Sequence, residues 1–523
     1  MSGPGSTTKV TYVTLAGNEE ANAAYDRALG VVGAGLGATH ANRIDGRESG
    51  RDRPLFDDVS PIDASRLVGR FPRATPSDVA AAIEGARRAH PAWSARPWQE
   101  RVAILRLAAE AISERMTELA ALMSIEVGKN RLEAMGDAEE AADLLCYYAA
   151  QVEEADGFER PLSRLLPGED TRSILRPYGV FAVVAPFNFP AALAAGMAAG
   201  ALAAGNTVVF KPSSDAALTG LRLYEILTAA GIPSGVLQLV TGHGADLGDA
   251  FLDDRLDGIV FTGSKRVGLD LHRRFASRWP KPVIVEMGGK NPAIVTRSAD
   301  LQKAAEGITR SAFGYGGQKC SACSRAYVAR EVYDAFLERL VGVASGLSIG
   351  DPTERGVYLG PVISAKAMET HRAAVDEARR DGRIVFEGRV PDGAALARGH
   401  FVPPVVADRL PDGHRLWRDE LFVPFLAVAP VGSLDEAIAR ANDTEYGLTA
   451  GIFSEDDDEV RAFFDRIEAG VAYANRRTGA TTGAWPGVQS FCGWKASGST
   501  GKGGCGPWYV QQFLREQSRT IVR

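Results

Sequence analysis

Between Val180 and Phe210 the chain carries no charged residue over 31 positions, VFAVVAPFNFPAALAAGMAAGALAAGNTVVF. A run of this length must be buried, and it exceeds what crossing a bilayer requires. Pro186, Asn188 and Pro190 interrupt it, however, its ends are β-branched, and its middle is rich in Ala and Gly. That pattern reads as strand, turn, buried helix and strand rather than one membrane helix. A strand and helix buried together belong to a parallel sheet covered on both faces, so the run constrains the chain to an α/β fold.

The flanking sequence extends the alternation. From about Ser77 to Glu153, apolar residues recur at threes and fours, predicting amphipathic helices. Leu162 to Arg176 is a polar link; then GVFAVVAP, NTVVFKP, GVLQLVTG and GIVFTG alternate with helices. A second alternation is expected to start at PVIVEMGG and run through HFVPPVV and LFVPFLAVAPV to GVAYANRR. The polar tail from Trp508 ends in RTIV, a strand expected to pair with a neighbour's sheet. VVGAGLGA at 31–38 fits a dinucleotide pattern, but helix-like residues precede it where a strand is needed, so it reads as a glycine-rich surface loop. At 523 residues the chain has length for about three units.

Composition removes several classes of function. A net charge of −6 argues against nucleic acid or an anionic membrane as partner. Five cysteines, an odd number, do not form a disulfide framework, and seven scattered histidines offer no metal site. The N-terminal MSGPGSTTKV lacks the basic and apolar regions of a secretory signal, so a cytoplasmic location is expected.

Three residues carry candidate chemistry. Cys320, in FGYGGQKCSACSR, follows a glycine-rich turn and adjoins Lys319. A cation or a helix N-terminus there would lower the thiol pKa, although an isolated cysteine is as readily a small buried hydrophobe. Cys323 completes a C-x-x-C spacing, leaving a disulfide with Cys320 open. Glu286 ends PVIVE before the flexible MGGKN, where it could serve as a general base or solvate a strand end. Asn188 is polar in an apolar segment, and its amide could face a developing oxyanion or satisfy a turn.

Taken in order, PFNFP, GNTVVFKPS, FTGSKRVG, VIVEMGGKNP, GQKCSACSR and ELFVPF resemble the NAD(P)-dependent aldehyde dehydrogenase superfamily. The separations match as well, with Glu286 34 residues and Asn188 132 residues before Cys320. The resemblance implies an aldehyde dehydrogenase-like α/β fold: two parallel-sheet domains, a Rossmann-like cofactor domain and a catalytic domain, plus a small oligomerisation element. The expected division is 1–55 as an N-terminal extension of unread role, 56–154 and 178–285 as the NAD(P)-binding domain, 286–495 as the catalytic domain, and 155–177 with 496–523 as oligomerisation segments of a homo-oligomer. It further implies Cys320 as nucleophile on an aldehyde, Asn188 as oxyanion donor and Glu286 as the base that activates water. Lys211, Gly263, Ser264, Glu420 and Phe422 would hold the cofactor. Ser214 stands where many NAD-preferring members carry a glutamate, so NAD is expected and NADP permitted.

Within the superfamily, QKCSACSR and TGAWPGVQSFCG resemble the 1-pyrroline-5-carboxylate dehydrogenases, which oxidise L-glutamate γ-semialdehyde to glutamate in proline degradation. That resemblance implies Ser321, Gly483 and Ala484 as the grip on the substrate carboxylate, and Phe189 and Phe491 as the box around its aliphatic part. The second of two TGA tripeptides, Thr482 to Ala484, aligns with the family's Gly-Ala pair. Ser490 and Cys492 depart from the usual Q-P-F-G-G, removing a fixed φ and adding a side chain. The alternatives are the same chemistry on another short aldehyde or semialdehyde, or an inactive binding protein on this fold. A CoA-acylating variant has no need of Glu286.

Overall fold

In the computed structural model, residues 19–394, 396–477 and 484–523 are described. The charge-free run forms strand Val180–Val184, helix Ala192–Ala203 and strand Thr207–Lys211. The two strands lie side by side and parallel, Val180 opposite Thr207 and Val184 opposite Lys211. The helix between them is buried almost all round, and its small residues let neighbours approach. A Cβ at Gly200, for instance, would stand 2.7 Å from the Phe513 ring and 2.9 Å from the Tyr509 ring. Among the described residues no helix is long and apolar enough to cross a membrane.

The first sheet has seven strands in the order Val283–Glu286, Gly258–Thr262, Val180–Val184, Thr207–Lys211, Leu237–Leu239, Asn42–Ile44 and Arg47–Ser49. The first five are parallel and the last two are added antiparallel. Two expectations change here. PVIVE closes the first sheet instead of opening the second, because Ile259–Thr262 pair in register with Val283–Glu286. Part of the 1–55 stretch also belongs to this sheet: Arg43 pairs with Leu239, and the Asp45 N–H donates to the Gln238 side chain at 2.7 Å. VVGAGLGA is not a loop throughout, since helix Glu19–Ala34 contains its first four residues and the chain turns only at Gly37, φ +81°.

The second sheet runs Arg383–Glu387, Val405–Asp408, Phe425–Val431, Cys323–Ala329, Asn291–Val295, Thr449–Phe453 and Val471–Ala474, parallel except for its first strand. A separate antiparallel sheet joins Leu514–Val522, Glu169–Pro177 and Glu159–Pro161. The polar 162–176 link is therefore largely a strand. RTIV pairs within its own chain, Thr520 with Thr171 and Val522 with Glu169. Residues 496–513 do not share that sheet, because Val510 and Phe513 are fully buried in the core of the first domain and Ser499 bonds to strand Val283–Glu286.

Asn206 ties these parts together. Its Oδ1 accepts from the Gly179 N–H at 2.9 Å, and its Nδ2 donates to Ala201 O at 3.2 Å and Phe513 O at 2.9 Å, all without exposure to water. Asn206→Ala strands the buried Gly179 N–H and Phe513 O, while Ala201 O keeps the Asn206 N–H, so the urea midpoint should fall by the equivalent of about 2–4 kcal/mol. An unchanged midpoint would show that water replaces the amide.

Candidate active site

The nucleophile turn is built by glycine. Helix Leu301–Phe313 ends on GYGG, where Tyr315, Gly316 and Gly317 take φ of 51°, 62° and 70°. A Cβ at Gly317 would lie 2.5 Å from Val423 O, so only glycine fits the close passage of the two backbones. The chain then runs through Gln318, Lys319 and Cys320 into strand Cys323–Ala329. No helix N-terminus follows Cys320, which corrects the expectation of a thiol activated that way. Lys319 is no help either: its ammonium is ion-paired with Glu133 at 2.8 Å. Burial pushes the Cys320 thiol up to about 12, with the Glu420 and Glu286 carboxylates adding to the rise. Cys320 and Cys323 are both free, and the Cys323 Sγ donates to Arg325 O at 3.4 Å.

Two cavities meet at Cys320, Thr262 and Met287. The larger, of about 560 Å³, is lined by Asn188, Lys211, Ser214, Gly263, Ser264, Glu420 and Phe422. The smaller, of about 110 Å³, is lined by Phe189, Glu286, Lys319, Ser321, Ala484 and Phe491. The site residues expected from sequence are thus divided between two sides of one thiol, except Gly483, which lies outside the described residues together with 478–482. Sequence reasoning missed Glu140, Tyr148, Cys505 and Tyr509 on the smaller cavity. Their helix and tail show only core-like apolar spacing, and no local signal marks them.

The larger cavity suits a dinucleotide. Helix Lys265–Phe275 opens on it behind Ser264, whose hydroxyl makes no capping bond and leaves the N-terminal N–H groups for an anion. Gly244 and Gly248 line it with nothing within 4 Å of a built Cβ, so the wall there is open. Lys211 is buried with its Nζ donating to Pro212 O at 3.0 Å, and burial pulls it down to about 8. Glu420 accepts from the Gly289 N–H at 3.0 Å and is pushed up to about 7 by burial. A Cβ at Gly288 would run into that carboxylate, so glycine makes its room.

On the other side, Glu286 takes a single long bond, from the Gly493 N–H at 3.4 Å, and its second oxygen has no partner. Burial raises it to about 8. Asn188 is anchored by one amide N–H, which donates to Gln318 O at 3.1 Å and leaves the other free to face the cleft. Among the described residues no cluster of three His, Cys, Asp or Glu side chains is arranged for a metal.

A dinucleotide-sized cleft that ends on a thiol, with a carboxylate of raised pKa beyond it, is the form of site that a nucleotide-dependent dehydrogenase presents. The sequence matches the aldehyde dehydrogenase family over residues 48–518, and the chain belongs to that family. Among its relatives, 1-pyrroline-5-carboxylate dehydrogenase 1 of Halalkalibacterium halodurans is 38% identical over 505 residues, 95% of each chain. The 1-pyrroline-5-carboxylate dehydrogenase from Thermus with bound NAD superposes with a TM-score of 0.91 at 35% identity, covering 97% of each chain. The chain also covers 51% of proline utilization A from Bdellovibrio bacteriovorus, with a TM-score of 0.90 at 35% identity and 95% of its own length matched.

The electrostatics can be checked without substrate. Alkylation of Cys320 by iodoacetamide, followed on its own peptide by mass spectrometry, should be slow at neutral pH and still accelerating at pH 10. A plateau below pH 9 would mean that the free enzyme activates the thiol.

Proposed function

We propose that this aldehyde dehydrogenase oxidises L-glutamate γ-semialdehyde, formed from 1-pyrroline-5-carboxylate, to L-glutamate with NAD in proline catabolism. The observation that carries the reading is that Ser321, Ala484, Phe189, Phe491 and Glu286 share one small cavity with Cys320. The names of the relatives support the same substrate.

In this reading the Cys320 thiol adds to the aldehyde carbon. Its proton passes to a neighbouring carboxylate that has itself ionised, because burial first and the nearby carboxylates second oppose the ionisation of the thiol on its own. The free Asn188 N–H and the Cys320 N–H hold the oxygen of the thiohemiacetal as it gains charge. NAD, when bound, accepts the hydride released from that carbon. Lys211 would take the adenosine ribose, Gly263 and Ser264 the pyrophosphate, and Glu420 and Phe422 the nicotinamide ribose and ring. Ser214 places no carboxylate beside the ribose 2′ position, which leaves NADP permitted. Glu286 then removes a proton from the water that cleaves the thioester and frees glutamate. The substrate carboxylate is held by the Ser321 hydroxyl and backbone N–H groups, an arrangement that needs no buried countercharge. A homo-oligomer assembled through the exposed sheet of 159–161, 169–177 and 514–522, in the cytoplasm, completes the proposal.

Two measurements test it. Ser321→Ala should raise KM for glutamate semialdehyde by on the order of 10-fold or more while changing propanal oxidation little, since a lost carboxylate partner affects only the substrate that carries one. Equal kcat/KM for both aldehydes in the unaltered enzyme would instead favour another short aldehyde. Glu286→Gln should lower steady-state turnover by on the order of 100-fold yet preserve the first-turnover burst of NADH. A group raised to about 8 is protonated, and so useless as a base, below that pH. Turnover of the unaltered enzyme should therefore climb as pH rises through about 8, and the Gln variant should lose that limb.

A further inference from the structure

Helix Ala192–Ala203 begins without a cap of its own, because Ala191 offers no side-chain acceptor. The Ala192 N–H donates instead to Asp137 Oδ1 at 2.8 Å, across from helix Arg131–Glu154. The other Asp137 oxygen accepts from Lys129 Nζ at 2.7 Å, and neither side chain has any exposure to water. The same ammonium stands 3.7 Å from the centroid of the Phe189 ring and 5.2 Å from that of Tyr315, whose hydroxyl donates to Val127 O at 2.6 Å. Burial works against both charges, while their mutual attraction works for both and the helix N-terminus works for the Asp137 carboxylate.

An apolar pair of the same size would serve stability as well or better. What the ion pair adds is aim. One bond fixes the backbone at Ala192, the ammonium fixes the ring at Phe189, and the Gln318 carbonyl fixes the amide at Asn188, so the turn is held at both ends and in its middle. We propose that Lys129 and Asp137 are positioning residues that hold the Asn188 amide and the Phe189 ring against the nucleophile turn. The inference rests on the reading of Asn188 as oxyanion donor and holds whichever aldehyde is the substrate.

The test is single-turnover NADH formation from propanal at saturating NAD, with active sites titrated so that misfolded protein lowers the titre and not the rate constant. Asn188→Ala should slow the step by on the order of 100-fold. Lys129→Met and Asp137→Asn should each slow it about 10-fold, at an unchanged site titre and NAD affinity. Added to Asn188→Ala, Lys129→Met should cost less than a further twofold, because both act through one amide. Asp137→Asn keeps an oxygen for the Ala192 N–H and carries the test if the lysine variant does not fold. Wild-type rate constants in the single variants would overturn the proposal, and so would a full further 10-fold loss in the double variant. A wild-type rate in Asn188→Ala alone would instead remove the oxyanion reading.

Discussion

The arrangement of the molecule depends on four residues of backbone. Strand Val283–Glu286 ends the first sheet and strand Asn291–Val295 begins in the middle of the second, so on its way from one sheet to the other the chain has only Met287, Gly288, Gly289 and Lys290. A crossing this short leaves no slack. The Asn291 Nδ2 donates to Cys320 O at 2.7 Å and Ala322 O at 2.9 Å, and its Oδ1 accepts from the Thr449 N–H at 3.0 Å. The carboxylate at one end of the crossing and the thiol tethered to its other end are thus set by the same stretch of chain. The two glycines make room for it: a Cβ at Gly289 would stand 2.7 Å from Cys320 O, and one at Gly288 would displace Glu420.

Crowding at that junction also sets the electrostatics. Glu286, Glu420 and Cys320 share a low-dielectric cleft in which no cation is ion-paired to either carboxylate among the described residues, and all three are pushed toward their neutral forms. Two lysines close to the cleft are engaged elsewhere: Lys319 with Glu133, and Lys129 with Asp137. Both acids come from the first two turns of helix Arg131–Glu154, so one helix pairs the lysine beside the candidate nucleophile and the lysine that stands against the Phe189 ring.

Much of the fold was legible from residues 180–210. Absence of charge with β-branched ends and a small-residue centre admits few solutions, and the strand, helix and strand appear where the pattern puts them. The misplacements have physical causes. PVIVE is apolar on both faces, which says that it lies inside a sheet but not which one; pairing with Ile259–Thr262 decides that. The glycines of VVGAGLGA suggested a loop, yet Gly33 costs a helix only about 1 kcal/mol relative to Ala, and the helix continues through it. Lys319 beside Cys320 suggested activation, but neighbours in a turn point apart, and the partner of Lys319 lies 186 positions away in the chain. The buried pair Lys129 and Asp137 was invisible because charge in a helical region reads as a solvated face.

The division of the cleft explains why the site can be dry and still reactive. The cavity of about 110 Å³ presents mainly apolar and aromatic side chains, Phe189, Leu193, Tyr148, Phe491 and Tyr509 among them. That wall is what burial of Glu286 consists of, and its effect on the carboxylate is to hold a proton to about pH 8 rather than release it near 4.5. A carboxylate that is neutral at rest does not repel an arriving carboxylate-bearing substrate, whereas an ionised one a few ångströms from it would oppose binding by like-charge repulsion. The same group, once it has lost its proton, is a stronger base than an ordinary glutamate by the full extent of the shift. Under the proposed function, burial that looks unfavourable in the resting protein would therefore serve both admission of an anion and attack by water, and it depends on the close passage of the two domains at Met287–Lys290.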